Sequence, residues 1–344
     1  IGSYTVDARA TAGLLTHNIR IEGDHDSGNQ WNGTILVADI ENDEGVVRQA
    51  KLTMENVEVI NMGQMDTDRS ILRLISTTWE DTKISKSSFY NSKSMGVMLD
   101  TEKAKFHDNV IVDHFTAGVI ARKAGSLDIQ RNLVLMTRKR PLVDKTETTA
   151  SFAICADQRD KCTGEVILKD NVAGGSEDWG VAVRFDKCDE NTTITGNSIY
   201  ASFNGLVNAS QEACSYLSSN SIFWSRDFGL SSYTFSSKLI ATDWILVGNK
   251  NAINLMNGLP NVPTSTSFTN SLIAASLDNK CETQDCSAFE CSPKVGIQLS
   301  TSLEEGKKLP ISKPDLPIEK IKQPSNAEQV SEVKKITFAN FLKK

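Results

Sequence analysis

Short apolar runs recur along the whole chain between polar and glycine punctuation, and in residues 165–231 they recur at a fixed period. Leu168-Lys169-Asp170-Asn171-Val172 precedes Trp179-Gly180-Val181, and Ile194-Thr195-Gly196-Asn197-Ser198-Ile199 precedes Asn204-Gly205-Leu206-Val207. Ser219-Asn220-Ser221-Ile222 precedes Phe228-Gly229-Leu230. Each Asn leads its Gly by eight or nine residues, and Gly180, Gly205 and Gly229 lie 25 and 24 residues apart. A period in this range marks stacked repeats. Each unit holds two or three short β-rich runs, which is the pattern of one coil of a parallel β-helix.

The same rhythm extends in both directions. Upstream it carries Asn109 and Asn132, 23 residues apart, with Gly96 and Gly118, 22 apart; downstream Ala252 stands where a coil glycine is expected. It breaks between residues 137 and 162, which predicts a long loop projecting from one face, with 151–155 as its strand. Before residue 79 the runs at 19–21, 33–38 and 50–62 predict further strands, Val57, Val59 and Ile60 being β-branched. Asn109, Asn132, Asn171, Asn197 and Asn220 are expected at one repeated bend, where side-chain amides stack into a ladder. Gly96, Gly118, Gly180, Gly205 and Gly229 are expected to supply positive φ at the other bend. The prediction is an all-β, right-handed parallel β-helix of about ten coils with strands at about 4.8 Å spacing. Three parts follow: residues 1–22, the end of a preceding β domain or an N-terminal cap; 23–300, the β-helix; and 301–344, a Pro/Lys-rich strap with a terminal strand.

Composition narrows the function classes. A net charge of -6 argues against a nucleic-acid partner, and no apolar run is long enough for a membrane span. Any membrane attachment is therefore expected through a segment outside this chain. The seven cysteines all lie between residues 155 and 291, without the paired spacing of a zinc site, and there are only four histidines. Neither a metal nor a cofactor is expected. Sequons at Asn32, Asn191 and Asn208, with the clustered cysteines, point to an extracellular chain.

Three passages resemble the fibrocystin and fibrocystin-L group of large cell-surface proteins, and more distantly their hyaluronan-degrading relatives. They are Gly13-Leu14-Leu15-Thr16-His17-Asn18-Ile19-Arg20-Ile21-Glu22-Gly23, Asn132-Leu133-Val134-Leu135-Met136-Thr137, and Asn171-Val172-Ala173-Gly174-Gly175-Ser176-Glu177-Asp178-Trp179-Gly180. His17 stands where the family usually has Arg. The resemblance spans roughly residues 10–300 and implies a parallel β-helix in the ectodomain of a membrane-anchored or secreted protein, at the cell surface and, by family likeness, the ciliary membrane. Cys188 and Cys214 match family cysteines and fall on consecutive coils at a similar phase, so a disulfide is expected there. Cys155 and Cys162 are a second candidate pair, and two of Cys281, Cys286 and Cys291 a third.

The chemistry-bearing residues are sparse. The histidine-rich coil tied to hyaluronan cleavage in the relatives corresponds to residues 65–76, which contain no histidine. His107, His114 and Asp113 are the remaining acid/base candidates, with a solvated or turn-bonded role as the plainer reading. Asp100, Arg122, Lys123 and Asp178 fall near strand edges and read first as solvated charges. Arg138-Lys139-Arg140 is a candidate contact for an acidic glycan. Trp79, Trp179, Trp224 and Trp244 lie at coil edges, where aromatics pack against a neighbouring coil more often than they stack on sugars. The leading expectation is a non-catalytic module, a rigid scaffold binding protein or glycan. The alternatives are an enzyme cleaving hyaluronan or another acidic polysaccharide, and a homotypic adhesion rod.

Overall fold

The computed structural model describes residues 11–24, 32–65, 67–75, 82–140, 148–157, 160–184, 192–209, 215–234, 239–257, 264–269, 271–275, 289–291 and 295–300. Three sheets of ten strands each run along the chain. The first holds Ile19–Glu22, Val57–Ile60, Ser88–Tyr90, Val110–Phe115 and so on to Leu272–Ala275; the second runs from Ile35–Ala38 through Ala117–Ala121 to Phe289–Cys291. The third runs from Thr53–Glu55 through Lys103–His107 to Val295–Ser300. Within each sheet the ladders are parallel, so a strand bonds to its counterpart one coil away. The chain is a parallel β-helix. One antiparallel pair stands outside the stack, Ile40–Glu41 with Val47–Arg48.

The period-2 alternation of each short strand sends one row of side chains inward. Val59, Phe89, Ile111, Val134, Ala173, Ile199, Ile222 and Leu246 form the inward row of the first sheet. Leu72, Val97, Val119, Phe152, Val181, Leu206, Leu230 and Ile253 do so in the second. Ile84, Phe106, Ile129, Leu168, Ile194, Leu217, Ala241 and Phe268 do so in the third. These rows belong to one continuous buried cluster. Like stacked on like keeps every coil the same width, which is why the hydrophobic pattern repeats.

Two corners of the coil are tight turns that each need one residue in the left-handed region. Between the third and first sheets that residue is Lys86, Asp108, Arg131, Asp170, Gly196, Ser219 or Asp243 in successive coils; between the first and second it is Asn91, Asp113, Met136, Gly175, Ala201, Trp224 or Gly248. The asparagines follow the first of these corners and form the expected ladder. Asn109 Nδ2 donates to Asn132 Oδ1 (3.1 Å), Asn132 Nδ2 to Asn171 Oδ1 (3.0 Å), Asn171 Nδ2 to Asn197 Oδ1 (3.1 Å) and Asn197 Nδ2 to Asn220 Oδ1 (3.0 Å). Each amide also donates to an inner backbone carbonyl, as Asn132 does to Phe106 (2.8 Å).

The glycine expectation is corrected. Gly96, Gly118, Gly180, Gly205 and Gly229 do not take positive φ. They lead into or begin the second-sheet strands, facing the inward row of the first sheet. A Cβ on Gly205 would lie 2.2 Å from Gly229 O and 2.5 Å from Ile222 Cγ2. Crowding excludes a side chain there.

The break in rhythm is also corrected. Ala150–Ile154 is no strand on a projecting loop; it pairs with both Ala117–Ala121 and Trp179–Val183 as a full member of the second sheet. The period stretches because two corners of one coil are lengthened together, so that Gln130 pairs with Lys169. Ile19–Glu22 pairs with Val57–Ile60, adding the N-terminal segment to the stack. The 301–344 strap lies outside the described residues.

Candidate functional site

The three acid/base candidates do not meet. His107 ends a third-sheet strand beside the buried Phe106 and points outward, its Nε2 3.0 Å from Asp128 Oδ2. His114 points into the corner between the first and second sheets. It is fully buried, with Nε2 2.8 Å from Thr137 Oγ1, which in turn lies 2.9 Å from Ser151 Oγ. Burial, reinforced by the charge of Arg138, lowers its pKa to about 3, so the ring is neutral. Asp113 occupies the left-handed corner position and pairs outward with Arg138. Neighbours in sequence, His114 and Asp113 face opposite sides of the wall; the left-handed turn at Asp113 shifts the phase set by the inward Ile111, so that Asp113 faces outward and His114 inward.

The basic cluster is not a free cationic surface. Arg138 pairs with Asp113 and lies 4.6 Å over the Phe115 ring. Lys139 Nζ is 3.4 Å from Asp178 Oδ2, and its amide donates to Glu177 Oε2 (2.7 Å). Arg140 Nη2 donates to Ser94 Oγ (2.7 Å) and Thr67 O (3.1 Å), tying two loops together. The strand-edge charges are similarly committed. Asp100 Oδ1 accepts the amides of Arg122 (2.8 Å) and Lys123 (3.3 Å). Nearby, burial raises the pKa of Asp160 to about 6, against the lowering effect of the hydrogen bond it accepts from the Asp157 amide (2.9 Å).

Two sequon expectations fail on burial. Asn208 is 0 % exposed on an inward position, in register with Val183 and Ser232, and Asn32 is 6 % exposed. Neither amide has room for a glycan. Asn191, Cys188, Cys214, Cys281 and Cys286 lie outside the described residues, as does Trp79. Cys155 and Cys162 form a disulfide closing the lengthened third corner.

Two surface features remain. A cleft of about 320 Å³ lies between the N-terminal segment and the asparagine corner, lined by Gly13, His17, Lys86, Asp108, Arg131 and Asp170 among others. Its charges alternate in sign from coil to coil, and Arg131 bonds Asp108 through both Nε (2.7 Å) and Nη2 (2.9 Å).

The second feature is an aromatic ridge on the corner between the first and second sheets. Tyr200 and Phe223, in register on adjacent strands, stack at 5.1 Å between centroids. Trp224 packs 5.8 Å from Phe223 and stays 48 % exposed. Phe203, 42 % exposed, stands on the adjacent coil just past the same corner, its carbonyl accepting the Asp227 amide (2.8 Å) and Lys139 Nζ lying 5.9 Å over its ring. Carboxylates and amides alternate along this edge: Asn204 Nδ2 donates to Asp178 Oδ1 (3.2 Å) and Asn251 Nδ2 to Asp227 Oδ1 (3.2 Å). Of the four tryptophans singled out, Trp244 is wholly buried with Nε1 donating to Leu217 O (3.1 Å), Trp179 is half-buried, and Trp224 is the exposed one. Trp224 and Asp178 are coil-edge candidates in the sequence, whereas Phe203 and Asp227 were missed because they come from corners, where hydrophobic periodicity carries no signal. The available clue was a tryptophan in a coil position that is glycine one coil later.

No family model matches the chain, and no solved structure matches it. Mouse fibrocystin is 22 % identical over 369 residues, an alignment covering 98 % of this chain and 8 % of fibrocystin. The chain therefore spans a small fraction of the length of that relative, to which it is distantly similar along almost all of its own.

Proposed function

We propose that this chain is a non-catalytic, extracellular β-helix module of a fibrocystin-like cell-surface protein, a rigid scaffold whose side face binds a protein or glycan. The observation carrying this reading is the buried asparagine ladder, unbroken from Asn109 to Asn220. Each step joins two coils through side chains that no solvent reaches, so the coils are held in register and surface groups keep fixed spacing. The distant similarity to fibrocystin supports the cell-surface setting. The engagement of His107 by Asp128, of Asp113 by Arg138 and the burial of His114 support binding over cleavage.

The test is incubation of the purified chain with size-defined hyaluronan, chondroitin sulfate and heparan sulfate, followed by chain sizing. The expected result is unchanged chain length. Shortening that disappears in His107→Ala would establish the polysaccharide-cleaving alternative instead.

A further inference from the structure

We infer that the ridge built by Phe203, Trp224 and the flanking Asp178 and Asp227 is a binding site for a neutral oligosaccharide, the pyranose faces stacking on the two exposed rings. This inference rests on the scaffold reading above and specifies the ligand of its side face.

The backbone at Trp224 is the first argument. Its φ of 57° lies in the left-handed region, which a bulky side chain rarely occupies. The corner requires that conformation: the same position is Met136, Gly175 and Ala201 in the three preceding coils and Gly248 one coil later, and Trp224 is the bulkiest of them. Holding tryptophan there is costlier than holding glycine, and such strain concentrates at binding sites. Gly248 completes the seat: a Cβ there would sit 2.6 Å from Trp224 Cδ1, so the absent side chain makes room for the indole. With Phe223 and Tyr200 packed against it, the indole is held at a fixed angle with nearly half its surface in solvent.

Charge selects the ligand. Lys139 pairs with Asp178 and Lys250 Nζ lies 3.7 Å from Asp227 Oδ1, so each of these carboxylates is matched by a lysine, with the exposed Arg226 between Trp224 and Asp227. An uncharged sugar leaves both pairs intact, whereas a sulfated or carboxylated chain gains Arg226 but meets both carboxylates. Carboxylate and amide oxygens along the edge are acceptors for hydroxyl groups, and aromatic faces match the C–H faces of a pyranose. Coils repeat at about 4.8 Å, so the polar groups recur along the ridge at a spacing comparable to a single sugar unit.

The experiment is a tryptophan-fluorescence titration of the whole chain with cello-, chito- and lacto-series tetrasaccharides, with a heparin tetrasaccharide alongside, at low and high salt. Expected is saturable binding of at least one neutral series, insensitive to salt, lost at least 10-fold in Phe203→Ala and in Trp224→Gly. Glycine suits the corner backbone, so Trp224→Gly is expected to keep the wild-type melting temperature within about 5 °C; isothermal calorimetry reads its binding without the fluorophore. Binding of heparin alone, or neutral binding unchanged in both variants, would overturn the assignment. So would failure of every neutral series to bind. None of these outcomes produces chain shortening, the result that would overturn the scaffold reading itself. Concentration-dependent self-association abolished by Trp224→Gly would also overturn it, by making a second copy of this chain the occupant.

Discussion

A single residue carries several bonds in this fold, and that makes substitutions discriminating. Asn132 donates to Phe106 O and Asn171 Oδ1, and its own Oδ1 accepts both the amide and side chain of Asn109. Asn132→Ala strands buried partners on both sides, and the expected loss is about 2–4 kcal/mol of unfolding free energy by urea titration. The glycines separate into two kinds. Gly205→Ala places a methyl group against Gly229 O and is expected to prevent folding or lower the melting temperature by more than 10 °C. Gly175→Ala makes an ordinary contact, 3.8 Å to Met136 N, and needs only the φ of +66°, a left-handed conformation that Ala201 already takes at the same corner, so about 1–2 kcal/mol is expected. The asparagine ladder was legible in the sequence because its residues and period are both visible there. The role of Gly205 was not, because spacing marks a special backbone position without distinguishing left-handed φ from crowding. Which of Asp113 and His114 is buried was hidden for a related reason: one left-handed residue shifts the inward–outward phase of the strand. His114 also sets a pH dependence. Its folded pKa, about 3, lies below its ordinary 6.5, so the unfolded chain binds the extra proton between these values. Stability is full above about pH 6.5 and falls as pH drops toward 3. Asp160 runs oppositely: with a folded pKa of about 6 against 3.8, its contribution declines as pH rises from 4 to 6. His114→Leu is expected to flatten the acid side of a urea-midpoint profile, and Asp160→Asn to raise the midpoint at pH 7; unchanged profiles would reject these environments.

At the scale of elements, the three sheets are governed by the inward rows and the corners by local chemistry. The inward rows were readable as apolar runs, including the strand Val57–Ile60. The strand Ala150–Ile154 reads as part of a loop in the sequence because the period around it is stretched, and its apolar run alone does not say which strands it pairs with. The N-terminal strand depends on one buried carboxylate. Glu58 accepts from Tyr90 Oη, pairs with Arg20 (3.4 Å) and accepts the amide of His17 (3.3 Å), and burial together with this bond raises the Tyr90 pKa. Glu58→Ala is expected to release Ile19–Glu22 from Val57–Ile60, read as faster amide exchange confined to residues 11–22 and 57–60. The Cys155–Cys162 bridge closes a short loop, separation 7, so its loss in a double Ser variant is expected to cost about 2 kcal/mol without altering ligand binding at Trp224. For Cys188 and Cys214 a disulfide remains proposed, and peptide mapping before and after reduction decides it.

For the whole molecule, the account holds that the chain is one stiff stack whose ladders fix the side face. Ten strands per sheet agree with a coil count readable from the period, whereas the ligand was not readable, since the surface rows come from corners that periodicity does not constrain. Fold alone does not determine function; the scaffold reading depends on stiffness. Native-state hydrogen exchange measures it directly. A stiff stack predicts that strands Ser88–Tyr90, Val110–Phe115, Leu133–Arg138, Ser198–Tyr200 and Ser221–Phe223 exchange together, through global unfolding. Exchange of residues 198–223 at least 100-fold faster than that of residues 88–138 would show that the ridge sits on a loose segment, and would contradict the scaffold account.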